Sequence, residues 1–547
     1  MLMDTTVSRI IVLSVLCLPF LSTGRDHATP GDAGVPFDLQ QVIDRGVEAG
    51  LNPIVIPPGR YRVRPRHRQH LILRDLQNIQ IDATGVEMIC TETTRALSIS
   101  NCLNVTLRGL TIDYDPLPYT QGRIVKLSEN NTVHDIELFD GYPRGDQVLD
   151  FKYEIFKPDT RTLRFGSYHD FRVVSKEADR IRVTRGGRYH GEQVGDIIAI
   201  GTTYAPGGQI PHAIYTTRSQ NVVLEDIILY ASNCFGFFET ECERTTYRRC
   251  RVDRRAARDD FKRRGDPRIR SLDADAFHSK MAIVGPQLIE CIAHFQADDC
   301  INICGDYHMV MACDGPTLRV LAKGHMNVEP GDPLEVVAYN GQRLPDAKAM
   351  SVVRSGDIAD EEQAFMGRQR MHKPFKEGSL RQIYDIVIDR PVDLARGSII
   401  AAANRIGNGF KVTGCDFGFN RSRGILIKAS HGEVSNNRLV GCVGEAIKVA
   451  PEFWWLEAGS SSDVRITGNV IQQCDGMGIA VYALAGAGGL APAGAHSDIV
   501  IEGNRLLDVA GREIWVTSTR GLTLRDNDFG DTEPDIKLEQ CQEVLWK

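Results

Sequence analysis

No Cys-x-x-Cys pair occurs in the chain, and no Cys/His spacing has the form of a structural zinc site. The 14 cysteines are spread thinly over 547 residues. Cys17 lies in an apolar N-terminal run, which leaves an odd thirteen and excludes a disulfide framework. Cys250, Cys291 and Cys415 recur at one place in repeated strands and read as small buried thiols. Charge of one sign is also scarce. The net charge is −7 and the isoelectric point about 6.1, so nothing draws the whole protein to nucleic acid or to an anionic membrane. Long apolar runs are missing too, and no membrane span is expected. The longest, IIVLSVLCLPFL (10–21), has twelve residues, too few to cross a bilayer. With Arg9 before it and STG after it, residues 1–24 read as a signal peptide. The protein is therefore expected to be exported, periplasmic or secreted. Helical patterning is confined to LQQVIDRGVEAG (39–50), with Leu39, Val42, Ile43 and Val47 on one face, a suitable cap for the open end of a solenoid.

What the chain has in quantity is glycine, 51 residues, and a short repeated pattern. An alternating apolar strand, a turn residue and a second short strand recur as NVVLEDIILYAS (221–232), PQLIECIAHF (286–295), DVRITGNVIQQC (463–474) and DIVIEGNRLLDV (498–509), among others. Aligned on Asp226, Cys250, Cys291, Cys415, Asn437, Asn469, Asn504 and Asn527, the intervals include 24, 22 and 23 residues. Longer intervals contain loop material such as ALAGAGGLAPAG. A repeat near 22 residues with three short strands is the unit of a parallel β-helix, whose coils bury their apolar faces only by stacking. Asparagine at the turn tolerates left-handed backbone and bonds to its stacked copy.

Two stretches break the period and read as antiparallel strands with tight turns. The fold expected is all-β: a right-handed parallel β-helix with two inserted antiparallel β-barrel domains. The organisation expected is a signal peptide (1–24), N-terminal coils (25–116), barrel 1 (117–205), central coils with the active site (206–307), barrel 2 (308–402) and C-terminal coils (403–547).

Asp275 lies 23 and 24 residues, one coil, before the adjacent acids Asp298 and Asp299. Three carboxylates on one face cannot all ionise cheaply, so at least one holds a proton beside ionised neighbours. That equipment suits a glycoside hydrolase. It also suits a calcium site or a solvated acidic turn. Trp454, Trp455 and Glu457 sit in a loop between coils, where rings stack on sugar faces and a carboxylate takes hydroxyls. His278, Asn302, Glu239 and Lys428 are further candidates for sugar contacts. Nine Lys or Arg against four Asp lie between Arg251 and Arg270, which reads as a solvated loop over the cleft rather than a nucleic-acid site.

DADAFHS (273–279) followed by ADDCINICG (297–305), both insertions, and WWLEAGSSSDVRITGNVI (454–471) resemble glycoside hydrolase family 110 over most of the chain after the leader. These are exported α-1,3-galactosidases, including those acting on the blood-group B antigen. The resemblance implies inverting, exo-acting release of terminal α-1,3-linked galactose, with Asp298 as general acid and Asp275 and Asp299 activating water. It implies no cofactor and no metal. A glycan with terminal α-galactose is the expected partner; the oligomeric state is left open by the sequence, a homodimer being one assembly the fold allows. The chain departs from the family pattern at Cys304, where His is expected, and at Ala276, where Gly is common. A polygalacturonase-like hydrolase, which shares the fold, needs cations for a uronate. In GILIKAS (424–430), Leu426 stands where its arginine would be and only Lys428 remains. A calcium-dependent polysaccharide lyase and a non-catalytic glycan-binding protein are the remaining alternatives.

Overall fold

Each sequence repeat folds into one coil, and the coils stack in register. In a computed structural model, the described residues are 37–546 except 151, 169, 187–190, 203–211, 257–265 and 532. The leader expected over residues 1–24 lies outside them. One parallel sheet runs the length of the molecule, from Gln69–Arg74 to Ile536–Glu539, with one strand per coil. A second, twenty-stranded sheet carries the two strands that flank each turn. Side chains of a strand alternate between faces. The inward row of the first sheet therefore stacks Ile214, Phe237, Phe277, Ile301, Ile425, Ile447, Ile479 and Ile514 in register. All are buried, and the rings of Phe237 and Phe277 lie parallel with centroids 4.8 Å apart. The outward row on the same strands is Tyr215, Phe238, His278, Asn302, Leu426, Lys448, Ala480 and Trp515.

The asparagine ladder forms, but not at the left-handed position. Asp226 is itself left-handed, but at the other turns left-handed backbone falls one residue earlier, at Arg249, Glu290, Gly414, Asn436, Gly468, Gly503 and Asp526. Asn437, Asn469, Asn504 and Asn527 instead point inward. Their amides link side chain to side chain at 2.9, 2.9 and 3.0 Å, while each donates to a carbonyl of the preceding coil. The inward position also needs an acceptor for a backbone N–H of the coil before: Cys415 N donates to Asn437 Oδ1 at 2.9 Å. Asparagine satisfies donor and acceptor needs at once.

The expected helix forms over Leu39–Glu48, N-capped by Asp38. Its Gln40 side chain bonds both backbone groups of Ile72 on the first strand of the sheet, at 2.9 and 2.7 Å, covering an otherwise unpaired edge. Two helices that the sequence pattern did not indicate, Asp360–Arg368 and Lys373–Lys376, decorate the second insertion.

The insertions differ from each other. Strands between His308–Asp314 and Ile399–Ala402 close into a six-stranded antiparallel barrel. Those between Tyr119–Leu127 and Ile197–Gly201 form a seven-stranded antiparallel sheet. Its two edge strands, Leu163–Tyr168 and Phe171–Lys176, do not pair among the described residues, so the first expected barrel is an open sheet there. In each insertion the first and last strands pair with one another. The basic stretch before Asp275 is less solvated than expected. Arg268 holds Asp113 of the N-terminal coils at 2.8 Å and Arg270 holds Glu154 of the first insertion at 2.8 Å, all four buried, so the second pair fastens that insertion to the coils. Residues 257–265 of that stretch lie outside the described residues.

Replacing Asn469 by Ala removes two side-chain links and leaves buried groups of the neighbouring coils unpaired, each worth about 1–3 kcal/mol. The expected outcome is a thermal midpoint several degrees lower, measured by circular dichroism, with the mature fold retained. An unchanged midpoint would remove the ladder from the account of coil stacking.

Candidate active site

Three carboxylates converge where two coils turn into the strands Phe277–Lys280 and Ile301–Asp306. Oxygens of Asp275, Asp298 and Asp299 lie within 4.8 Å of one another. Asp275 is held twice: its Oδ2 lies 2.7 Å from Nδ1 of His278, and its Oδ1 accepts the backbone N–H of Asp299 at 3.3 Å. Asp299 accepts from the backbone N–H of Arg423 at 2.9 Å, and its other oxygen lies 3.0 Å from the guanidinium. Asp298 reaches Arg421 at 2.5 Å and Lys152 at 3.7 Å. Lys152 belongs to the first insertion. Of the three side chains Asp298 is 25% exposed, against 6% for Asp275 and 2% for Asp299, so it alone faces the groove to any extent.

The environments push the three groups apart. Burial, with the charge of Asp298 beside it, raises the Asp275 carboxyl well above its ordinary range. Burial raises Asp299 to about 7 despite Arg423. Burial also acts to raise Asp298, but Arg421, Lys152 and Arg423 outweigh it and hold that carboxyl low. A proton is therefore held more readily on Asp275 and Asp299 than on Asp298. The resemblance gives Asp298 the general-acid role, and the cations beside it are what lower it at rest. A neutral His278, lowered by burial to about 4, completes the picture. It stacks on Phe235 with centroids 4.5 Å apart.

Beside the acids, just past the end of strand Ile425–Ile427, Lys428 is fully buried. It donates to Asn302 at 3.0 Å and to Glu457 at 2.8 Å, and Glu452 lies 3.3 Å away. Glu452 also takes Lys448 at 2.8 Å. It is driven down to about 2: burial opposes this, and Lys428, Lys448 and Arg423 overcome it. Cys304 sits 3.7 Å from Nε2 of His278, and burial keeps its thiol protonated.

The site thus brings together Asp275, Asp298, Asp299, His278, Asn302, Lys428 and Glu457. Trp454 and Trp455 belong to its margin. Trp455 packs on His372 of the second insertion at 4.0 Å between ring centroids. Trp454, with Tyr482, Lys448 and Glu452, lines a cavity of about 230 Å³ further along the coils. Glu239 does not face the groove. It sits on the inward face of Phe237–Thr240, accepting from Ser279 at 2.6 Å and Tyr247 at 3.3 Å inside the solenoid. Its neighbours in sequence, Phe238 and Thr240, take the outward positions. Sequence reasoning missed Arg421, Arg423, Glu452 and Lys152. The first two had a signal, since NRSRG (420–424) occupies in the next coil the place that ADDC holds. Lys152 had none.

Calcium fits the three aspartates poorly, because Arg421, Arg423 and Lys152 already supply positive charge to their oxygens. No helix among the described residues is long and apolar enough to cross a membrane.

A family model described as a right-handed β-helix region matches residues 395–529. Alpha-1,3-galactosidase B of Bacteroides thetaiotaomicron is 23% identical over 475 residues, which span 80% of this chain and 72% of that protein. Among solved structures, the A-module of an Azotobacter vinelandii mannuronan C-5 epimerase aligns with a TM-score of 0.39 at 11% identity, covering 93% of this chain and 94% of that one. A family 28 exopolygalacturonase of Yersinia enterocolitica aligns with a TM-score of 0.35 at 10% identity, covering 92% and 74%. At these values the two structural likenesses carry no inference about chemistry.

Glu239 gives a pH prediction. Burial raises it from 4.5 to about 7, so between those values the folded chain keeps a proton that the unfolded chain releases. Stability is therefore lost as pH rises through that window. Asp299 adds to the loss with the same sign. Buried His70, His212 and His278, lowered by burial to about 4, 3 and 4, act with the opposite sign below their ordinary range, so the Glu239 contribution is read from the variant. Relative to the wild type, Glu239→Gln should gain thermal midpoint as pH rises from 5 to 8, and no relative gain would show that Glu239 ionises without cost.

Coil stacking and the matching family model agree that the chain is a right-handed parallel β-helix, and its sequence is similar over most of its length to an α-1,3-galactosidase, in line with the resemblance to glycoside hydrolase family 110.

Proposed function

We propose that the protein is an exported, exo-acting, inverting glycoside hydrolase that releases terminal α-1,3-linked galactose. The observation that carries this reading is the cluster of three carboxylates with opposed protonation tendencies at one groove. The named activity of the Bacteroides relative supports the choice of sugar and linkage. The cations beside the acids support a neutral sugar. Lys428, Lys448 and Arg423 are each engaged by Glu452, and Lys428 also by Glu457, so their charge is offset before a substrate arrives. A uronate would need cations left over.

The short spacing shapes the mechanism. Inverting glycosidases commonly separate their carboxyls by ~6.5–9.5 Å to admit water across the sugar. Here the oxygens lie within 4.8 Å, which allows one water to bridge two of them. In the proposed reaction Asp275 and Asp299 clamp that water and orient it toward the anomeric carbon. Asp298, the acid that faces the groove, gives a proton to the departing oxygen. That proton comes from the shared set, since titration of such close groups belongs to the trio and not to one member. A sugar that fills the groove screens Asp298 from Lys152 and solvent, and a proton then moves to Asp298 from Asp275 or Asp299 through the bridging water; the donor is left as the carboxylate that takes the proton of the attacking water. Asn302, Lys428, Glu457 and His278 are placed to take sugar hydroxyls.

Proton NMR of the first product from an α-1,3-galactobioside should show β-galactose, and α-galactose would exclude inversion. Asp298→Asn should lose about 10²–10⁴-fold on this disaccharide. It should lose far less on a dinitrophenyl α-galactoside, whose leaving group needs no proton. Asp275→Asn and Asp299→Asn should fail on both. Equal losses for Asp298→Asn on the two substrates would take the acid role from it, and near-full activity would remove the trio from catalysis.

A further inference from the structure

Next to the acids lies a set of groups whose donor atoms a single metal ion could share. Nε2 of His278, Sγ of Cys304 and a carboxylate oxygen of Glu457 lie within 4.8 Å of one another. They come from three separate pieces of chain: two adjacent strands and the loop after residue 450. Among the described residues only one other group of three such side chains is as close, the three aspartates, and it has no nitrogen or sulfur.

The donor set matches a soft divalent cation. A tetrahedral zinc with bonds of ~2.0–2.1 Å to nitrogen and ~2.3 Å to sulfur sets those two atoms about 3.6 Å apart. Here Sγ and Nε2 are 3.7 Å apart. The imidazole is also held as a ligand should be: Nδ1 faces Oδ2 of Asp275 at 2.7 Å, which turns Nε2 toward the sulfur. Stacking on Phe235 and pairing of the two strands fix the ring and the thiol in place. Lys428 and Asn302 occupy Oε2 of Glu457, at 2.8 and 3.5 Å. Oε1 is the oxygen left to bind. The Lys428 charge opposes a cation, and it is offset by Glu452 at 3.3 Å. Glu457, 15% exposed, is the open side from which an ion enters and at which a fourth ligand, water, would sit.

We propose that His278, Cys304 and Glu457 form a binding site for a thiophilic divalent cation such as zinc, and that the bound ion occupies the groove and excludes the sugar. Binding forms one sulfur–metal bond, and the thiol proton leaves to solvent, with no change of oxidation state. The presence of cysteine at 304, where the family resemblance led to an expectation of histidine, then has a chemical consequence. The proposal concerns metal binding by the groove and stands whether or not the substrate is a galactoside.

The test uses the whole mature protein with cobalt(II) and zinc as probes. Cobalt titration should produce a thiolate-to-cobalt band in the near ultraviolet at one equivalent, and zinc should displace it. Cys304→Ser should abolish the band, and Cys474→Ser should keep it. Glu457→Gln should keep the band and weaken zinc binding at least tenfold by equilibrium dialysis. If Cys304→Ser fails to fold, loss of the band in His278→Gln serves the same purpose. Zinc should also raise KM for the hydrolysed glycoside, with kcat unchanged. No band in the wild-type protein, or a band that survives in Cys304→Ser, would overturn the proposal. Failure of galactoside hydrolysis with the band intact would count against the proposed substrate and not against the metal site.

Discussion

The parallel register between coils is the constraint on which the rest depends. Strands stack ~4.8 Å apart, and the hydrogen bonds between them admit no slip that would not turn every inward side chain outward. The register is therefore fixed by the Ile and Phe ladder inside. The same register then fixes the spacing of whatever lies outside. His278 stands beside Asn302, and Leu426 beside Lys448, because Phe277, Ile301, Ile425 and Ile447 do so beneath them. The groove is a surface print of the core.

On that surface, charge is balanced group by group. Burying an unpaired charge costs several kcal/mol, and nearly every acid in the groove has a cation. Asp298 has Arg421 and Lys152, Asp299 has Arg423, and Glu452 and Glu457 share Lys428. The exception is Asp275, whose partner is a neutral imidazole. A carboxyl in that setting keeps its proton. The uneven distribution of cations, and not the mere count of acids, is what gives three similar side chains different tasks.

The solenoid was legible in the sequence because period and alternation are local properties. The convergence of the three acids was legible for the same reason, since one coil is a distance that can be counted along the chain. What the sequence pattern misread depends on direction or on distant contact. Glu239 has an even chance of facing either way on a four-residue strand, and a buried carboxylate against Ser279 and Tyr247 leaves no trace in the pattern. The turn residue was placed one position late, because asparagine has two virtues, left-handed backbone and a stackable amide, and here the second governs. Arg268 and Arg270 looked solvated because their partners, Asp113 and Glu154, lie more than 100 residues away. Lys152 arrives from an inserted sheet whose docking no local motif announces. The difference between an open sheet and a closed barrel likewise turns on whether the edge strands meet.

The pairing of first and last strands in each insertion has a consequence for how the chain folds. Strand Ile301–Asp306 must find Ile425–Ile427 across 124 residues at the pair Asn302 and Leu426. For a free chain, closing so long a loop carries an entropic cost that grows with its logarithm. Once the second insertion has formed, His308 lies against Ile400 and Met309 against Ile399. The two ends of the excursion are then already neighbours, and the coil on either side meets a connection only a few residues long. The first insertion does the same where Tyr119 meets Gly201. Each inserted unit thus works as a staple that returns the chain to the point it left. The solenoid can wind past both as though they were short turns, and Arg421 and Arg423 meet Asp298 and Asp299 across the second excursion.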